Sequence, residues 1–168
     1  MDIYSMNKIK ELTEACAECA GSLSGLILGN PQNIPDRAIQ HHALESFGFI
    51  IAFLCYSGGI SLDEAGSCNA CFIGLAFGHN KDHFYKSAKS IDFYLRVFIK
   101  YKDSREDFLK NSIIQYNLKN PQSWNDFNNG FPISELNGLD VLRDCVTIKA
   151  FLTDFLPKKI NPILESMN

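Results

Sequence analysis

Two ladders of small residues at four-residue spacing, Ala17-Gly21-Gly25-Gly29 and Gly66-Ala70-Gly74-Gly78, run through segments that otherwise read as helix. They hold six of the eleven glycines, too many to be incidental. A glycine inside a helix is worse than alanine by about 1 kcal/mol. Close approach of another backbone is the usual compensation, so the ladders predict that residues 17–29 and 66–78 pack tightly together.

The surrounding sequence supports helices throughout. From Ser5 to about Leu28 the apolar positions Ile9, Leu12, Cys16, Ala20, Leu23 and Ile27 recur at three and four, and Gly29-Asn30-Pro31 stops the pattern. Pro35 and Asp36 suit the first turn of a second helix through Ile39, Ala43, Phe47, Ile50, Ile51 and Leu54, which Gly58-Gly59 ends. Ser61-Leu62-Asp63-Glu64 is a capping box that opens a third helix reaching Gly78. A fourth begins near Asp82, with Phe84, Ala88, Ile91, Leu95 and Phe98 expected inward. Ser104-Arg105-Glu106-Asp107 starts a fifth, which runs to about Lys119 and closes at Asn120-Pro121. Residues 120–138 read as a long aromatic loop, and a last helix spans about Leu139 to Leu156. Pro157 is expected to break that helix, and Pro162 to make the tail irregular.

No stretch alternates apolar and polar residues long enough to make a strand. The expected fold is all-α: a single domain over residues 1–168, built as one irregular bundle of about six helices with the long aromatic loop before the last. Three charge-free runs, 19–35, 46–62 and 65–78, are expected to form its interior. Each falls short of the roughly twenty apolar residues that cross a bilayer, and only Arg37 lies nearby as a positive anchor, so no membrane role is expected. The start, Met1-Asp2-Ile3-Tyr4, lacks the features of a signal peptide, which points to a cytoplasmic protein with reduced cysteines.

Several constellations bear on chemistry. Cys16-x-x-Cys19 and Cys68-x-x-Cys71 have zinc-like spacing but lie within helices, and their side chains point away from the ladder edges, so thiols would diverge if the ladders touched. A more compact metal candidate is Cys68, Cys71, His79 and His83, though Gly78-His79-Asn80 reads better as a turn between helices. His41-His42 followed by Glu45 invites a metal or acid/base reading, with His42 and Glu45 on adjacent helical positions, but His42 borders the apolar stripe marked by Ile39 and Ala43, where a histidine packs and finds a hydrogen-bond partner. No phosphate-binding glycine motif occurs, and the basic stretch from Lys86 to Arg105 is diluted by acids, which leaves no nucleic-acid signature. No catalytic residue and no cofactor are expected.

Charge is the more informative signal. The chain carries a net charge of −3, but residues 11–80 hold seven acids and one base, whereas residues 81–168 hold thirteen bases and eleven acids. Glu11, Glu14 and Glu18 fall along one helix edge with no lysine or arginine within four residues on their C-terminal side, and Asp63 and Glu64 add to this acidic half. Such a surface attracts basic partners. The expectation is a non-enzymatic protein-binding domain, in the manner of an immunity or antitoxin-type inhibitor that occludes a basic, nuclease-like toxin. Its contact residues would be Glu11, Glu14, Glu18, Asp63 and Glu64, with Trp124, Asp126, Phe127 and Phe131 of the long loop supplying the anchor. The rival readings are a metal- or thiol-dependent small enzyme and a self-associating helical scaffold.

Overall fold

A computed structural model describes residues 2–28, 36–103, 112 and 147–167. The fold is all-α, a helical bundle with five α-helices among the described residues. They are α1 (Ile3–Leu28), α2 (Asp36–Tyr56), α3 (Leu62–Phe77), α4 (Lys81–Tyr101) and α5 (Leu156–Met167). Apart from Ser112, the expected fifth helix lies outside the described residues, as do the aromatic loop with Trp124, Asp126, Phe127 and Phe131, Pro35, Cys145 and the first part of the last expected helix.

The central element is α2. Every residue from Leu44 to Ala52 is buried, because α1, α3 and α4 all pack against it. The charge-free stretch from Ser46 to Ala52 is therefore explained by burial on all sides. Phe47 stacks on Phe72 of α3 with ring centroids 3.9 Å apart, and Phe49 meets Tyr94 of α4 edge-on at 5.2 Å. Each such side chain contributes on the order of 2 kcal/mol through removal of apolar surface from water.

Helix ends follow the expected chemistry where they are described. The Ser61 hydroxyl accepts from the Glu64 amide at 3.1 Å, and the Glu64 carboxylate accepts from the Ser61 amide at 2.9 Å. Gly78 (φ 59°) and His79 (φ 61°) then turn the chain left-handed between α3 and α4, and the Asn80 side chain caps α4 by accepting from the His83 amide at 3.1 Å.

Three expectations are overturned. The ladders do not pack together: Gly21, Gly25, Gly66 and Ala70 are exposed, and a Cβ built on Gly21, Gly25 or Gly66 would meet nothing within 4 Å. Instead α1 and α3 meet through their opposite faces, which carry Cys16, Cys19 and Cys68, all buried. The close backbone approach of this fold lies elsewhere, at Gly48, where a Cβ would come 3.0 Å from Ser90 Cβ and 3.4 Å from the Ile91 nitrogen. Because of that approach, α4 is rotated from its expected setting. Its buried residues are Ser87, Ser90, Tyr94, Val97 and Phe98, while Phe84 is exposed and Ala88, Ile91 and Leu95 are only half-buried. Small serines, not the bulky apolar series, make room for α2.

The prolines are the third correction. Pro157 does not break the last helix, and the tail is not irregular: residues 147–150 are helical, Phe151–Phe155 forms one π turn, and α5 continues through both prolines to Met167. The Leu156 amide donates to the Phe151 carbonyl, five residues back. This wider turn directly before Pro157 accommodates a ring that would clash with the carbonyl four residues earlier in an α-turn. Pro162 sits on the exposed side, where the carbonyl left without a donor can be hydrated. Burial of Leu156 and Ile160, and packing of α5 on α1, hold the segment helical.

Candidate functional site

The exposed side of α1 is the first candidate. Ile3, Asn7, Glu11, Glu14, Glu18, Gly21, Ser22 and Gly25 recur at three- and four-residue spacing and are all exposed, because Ile9, Leu12, Cys16, Ala20 and Leu23 commit the other side to the core. The acids are not locally unpaired, as their sequence context implied. Lys8 lies 3.2 Å from Glu11 and Lys10 lies 3.9 Å from Glu14, in both cases from the N-terminal side. Lys8 is half-buried but both carboxylates are exposed, so each pair contributes under about 1 kcal/mol and leaves the carboxylates open to a partner. Glu18 has no ion pair among the described residues, and the stripe ends at two glycines that present bare backbone.

The other acids are placed unequally. Asp63 is exposed at the start of α3. Glu64 is taken up by the capping box, and it lines a cavity of about 230 Å³ together with Tyr4, Ser5, Lys8, Ile9 and Met167. The structure thus brings the start of α3 beside the start of α1, and Tyr4 donates from its hydroxyl to the Ser166 carbonyl at 3.1 Å to tie in the end of α5. Exposed apolar residues cluster near these acids: Ile3 and Leu62 are 77% and 68% exposed, with Tyr4 and Met6 close behind.

A second candidate is polar and buried. His42 Nδ1 lies 2.8 Å from Ser24 Oγ and 3.4 Å from Ser46 Oγ, and the two serine hydroxyls are 3.0 Å apart. One turn along α2, the Glu45 carboxylate accepts from Ser90 Oγ at 2.6 Å and from Tyr94 Oη at 2.8 Å. His42 and Glu45 are only 1% and 2% exposed, so this network ties α1, α2 and α4 together in the interior, away from solvent-borne substrate. The sequence marked His42 as a packed, hydrogen-bonded residue but missed its partners Ser24 and Ser46. It also missed the donors to Glu45, whose signal was present in Ser90-x-x-x-Tyr94, two hydroxyls at helical spacing on the core side of α4.

The described cysteine and histidine side chains are not gathered into one cluster. Among the described residues no group of three or more histidine, cysteine, aspartate or glutamate side chains could hold a metal ion. His79 folds back over Gly74, and its Cε1 would lie 2.6 Å from a Cβ there, while the His83 ring stacks on Phe77 at 4.4 Å. The five described cysteines are free thiols. Burial pushes the Cys16 thiol well up from its ordinary value, with the neighbouring Cys68 and Cys19 adding to the effect. Burial likewise raises Cys19 and Cys68 to about 11. At neutral pH these groups are protonated and poor nucleophiles.

No described helix is long and apolar enough to cross a membrane. The chain matches no protein-family model, no curated protein and no solved structure.

Proposed function

We propose that the chain is a non-enzymatic domain that binds a basic protein through the outer face of α1, acting as an immunity or antitoxin-type inhibitor by covering a cationic, nuclease-like surface. The observation that carries this reading is the exposed series Glu11, Glu14 and Glu18, within residues 11–80, which hold seven acids and one base. Asp63 extends the negative field, and Ile3, Tyr4, Met6 and Leu62 offer apolar contact beside it. Charges at such a rim steer encounter, and apolar anchors supply residence time. Trp124, Asp126, Phe127 and Phe131 keep the anchoring role given by their sequence.

The deeply buried His42–Glu45 network has the character of a structural centre in this reading, and the protonated thiols weigh against thiol chemistry. The test is affinity purification from the native cells with wild-type protein and a Glu11→Lys/Glu14→Lys/Glu18→Lys variant. A basic protein retained by the wild type, released by salt and absent from the variant supports the proposal. Retention of the same proteins by both would refute it.

A further inference from the structure

The outward side of α4 is the electrostatic counterpart of α1. Tyr85, Lys89, Asp92, Arg96, Ile99 and Lys100 recur at three- and four-residue spacing and are all exposed, with Lys86 beside them. Helix α4 holds five bases and two acids, and Asp92 is engaged by Arg96 of the same helix. Lys86 and Lys89 have no ion pair among the described residues. Helices α1 and α4 each pack on α2 rather than on one another, so the two faces cannot satisfy each other within one molecule.

We infer that the outer face of α4 docks the outer face of α1 from a second copy of this chain. This rests on the reading of α1 as a docking surface for a cationic protein and names one such partner. An antiparallel register accounts for the details. With Lys89 opposite Glu18, Arg96 falls opposite Glu11, Asp92 falls opposite Ala15 rather than an acid, and the Tyr85 ring lies at Ser22 between Gly21 and Gly25. A parallel register that pairs Lys89 with Glu11 sets Asp92 against Glu14. The bare glycines thus have a use that nothing among the described residues gives them: they let an aromatic ring of the partner approach the α1 backbone. Because the two faces differ, the contact is heterologous and extends into rings or chains. A foreign basic protein on α1 competes with it.

The experiment is sedimentation of the pure full-length chain at low and at near-physiological salt. The wild type is expected to associate with rising concentration, and more weakly by at least about tenfold as salt increases, because exposed charges are screened. Lys89→Glu/Arg96→Glu and Glu11→Lys/Glu18→Lys are each expected to stay monomeric, since each sets like charges face to face. An equimolar mixture of the two is expected to associate again. Neutral Lys89→Gln/Arg96→Gln, with circular dichroism confirming its helices, is expected to weaken association about tenfold.

A wild type that stays monomeric at low salt overturns the inference, as does a mixture of the reversed variants that fails to associate. So does a monomeric chain whose α4 face instead binds anionic phosphatidylserine vesicles or single-stranded DNA. If the pure chain is monomeric while the acid-reversed protein loses a basic partner from cells, the inference falls and the proposed function stands.

Discussion

Replacing Gly21, Gly25 and Gly66 together by alanine should stabilise the protein. Each lies inside a helix, and each is exposed with open space where the new Cβ would sit. With no steric term, what remains is backbone entropy, roughly 0.5–1 kcal/mol per site, or roughly 1.5–3 kcal/mol for the three. For a chain of 168 residues this raises the melting temperature by about 3–12 °C. Gly48→Ala is the matched control. It has the same intrinsic gain, but its Cβ would press on Ser90 Cβ at 3.0 Å and on the Ile91 nitrogen at 3.4 Å. Overpacking between two helices costs about 1–3 kcal/mol, so a net loss of stability is expected. Urea unfolding with an unchanged m-value measures both. The reasoning fails if the triple variant is no more stable than wild type, or if Gly48→Ala stabilises as much as Gly21→Ala. The same Gly21→Ala and Gly25→Ala changes should weaken self-association, since each lifts the Tyr85 ring from the backbone. A gain in stability with a loss of binding would show what the glycines are kept for.

Tyr94→Phe removes a hydroxyl donor to a carboxylate that is 2% exposed, and should destabilise the fold by about 1.5–3 kcal/mol, read by chemical denaturation. Glu11→Lys and Glu14→Lys each break only an exposed pair with a lysine, so stability should change by less than about 1 kcal/mol while partner binding is lost. Alkaline pH should destabilise the protein through its thiols. The folded values of Cys16, Cys19 and Cys68 lie above the ordinary 9, so between 9 and about 11 the unfolded chain has released protons that the native state retains. Stability is therefore fully present below about pH 9 and declines as pH rises toward 11, which a series of urea midpoints would show. A Cys16→Ala/Cys19→Ala/Cys68→Ala variant should lose most of that slope.

The all-α class, the ends of α3 and the inward residues of α1 were legible because helix signals are local: periodicity, a capping box and a glycine stop can all be read within a few residues. The setting of one helix against another was not, and the reason is visible at α4. Of its more hydrophobic series Phe84, Ala88, Ile91, Leu95 and Phe98 only Phe98 is fully buried, and the helix turns Ser87, Ser90 and Tyr94 to the core with it. Three facts outside α4 decide this: Gly48 allows the backbones together, Glu45 is buried and needs the Ser90 and Tyr94 hydroxyls, and Phe49 fills the space against Tyr94 and Phe98. A buried carboxylate without donors costs more than a half-exposed phenylalanine, so the polar requirement sets the rotation. The ladders were misread for the same reason. Spacing of small residues states that a partner backbone can come close, and it does not say whether that partner belongs to the same chain. Within this fold, Gly74 answers to His79 and Gly78 to a left-handed turn. Among the described residues Gly21, Gly25 and Gly66 answer to nothing, and on α1 two of them continue the acidic stripe. Their cost to the helix is offset only if another surface lies against them, which the proposed docking on the outside of α1 would supply and the buried polar centre would not.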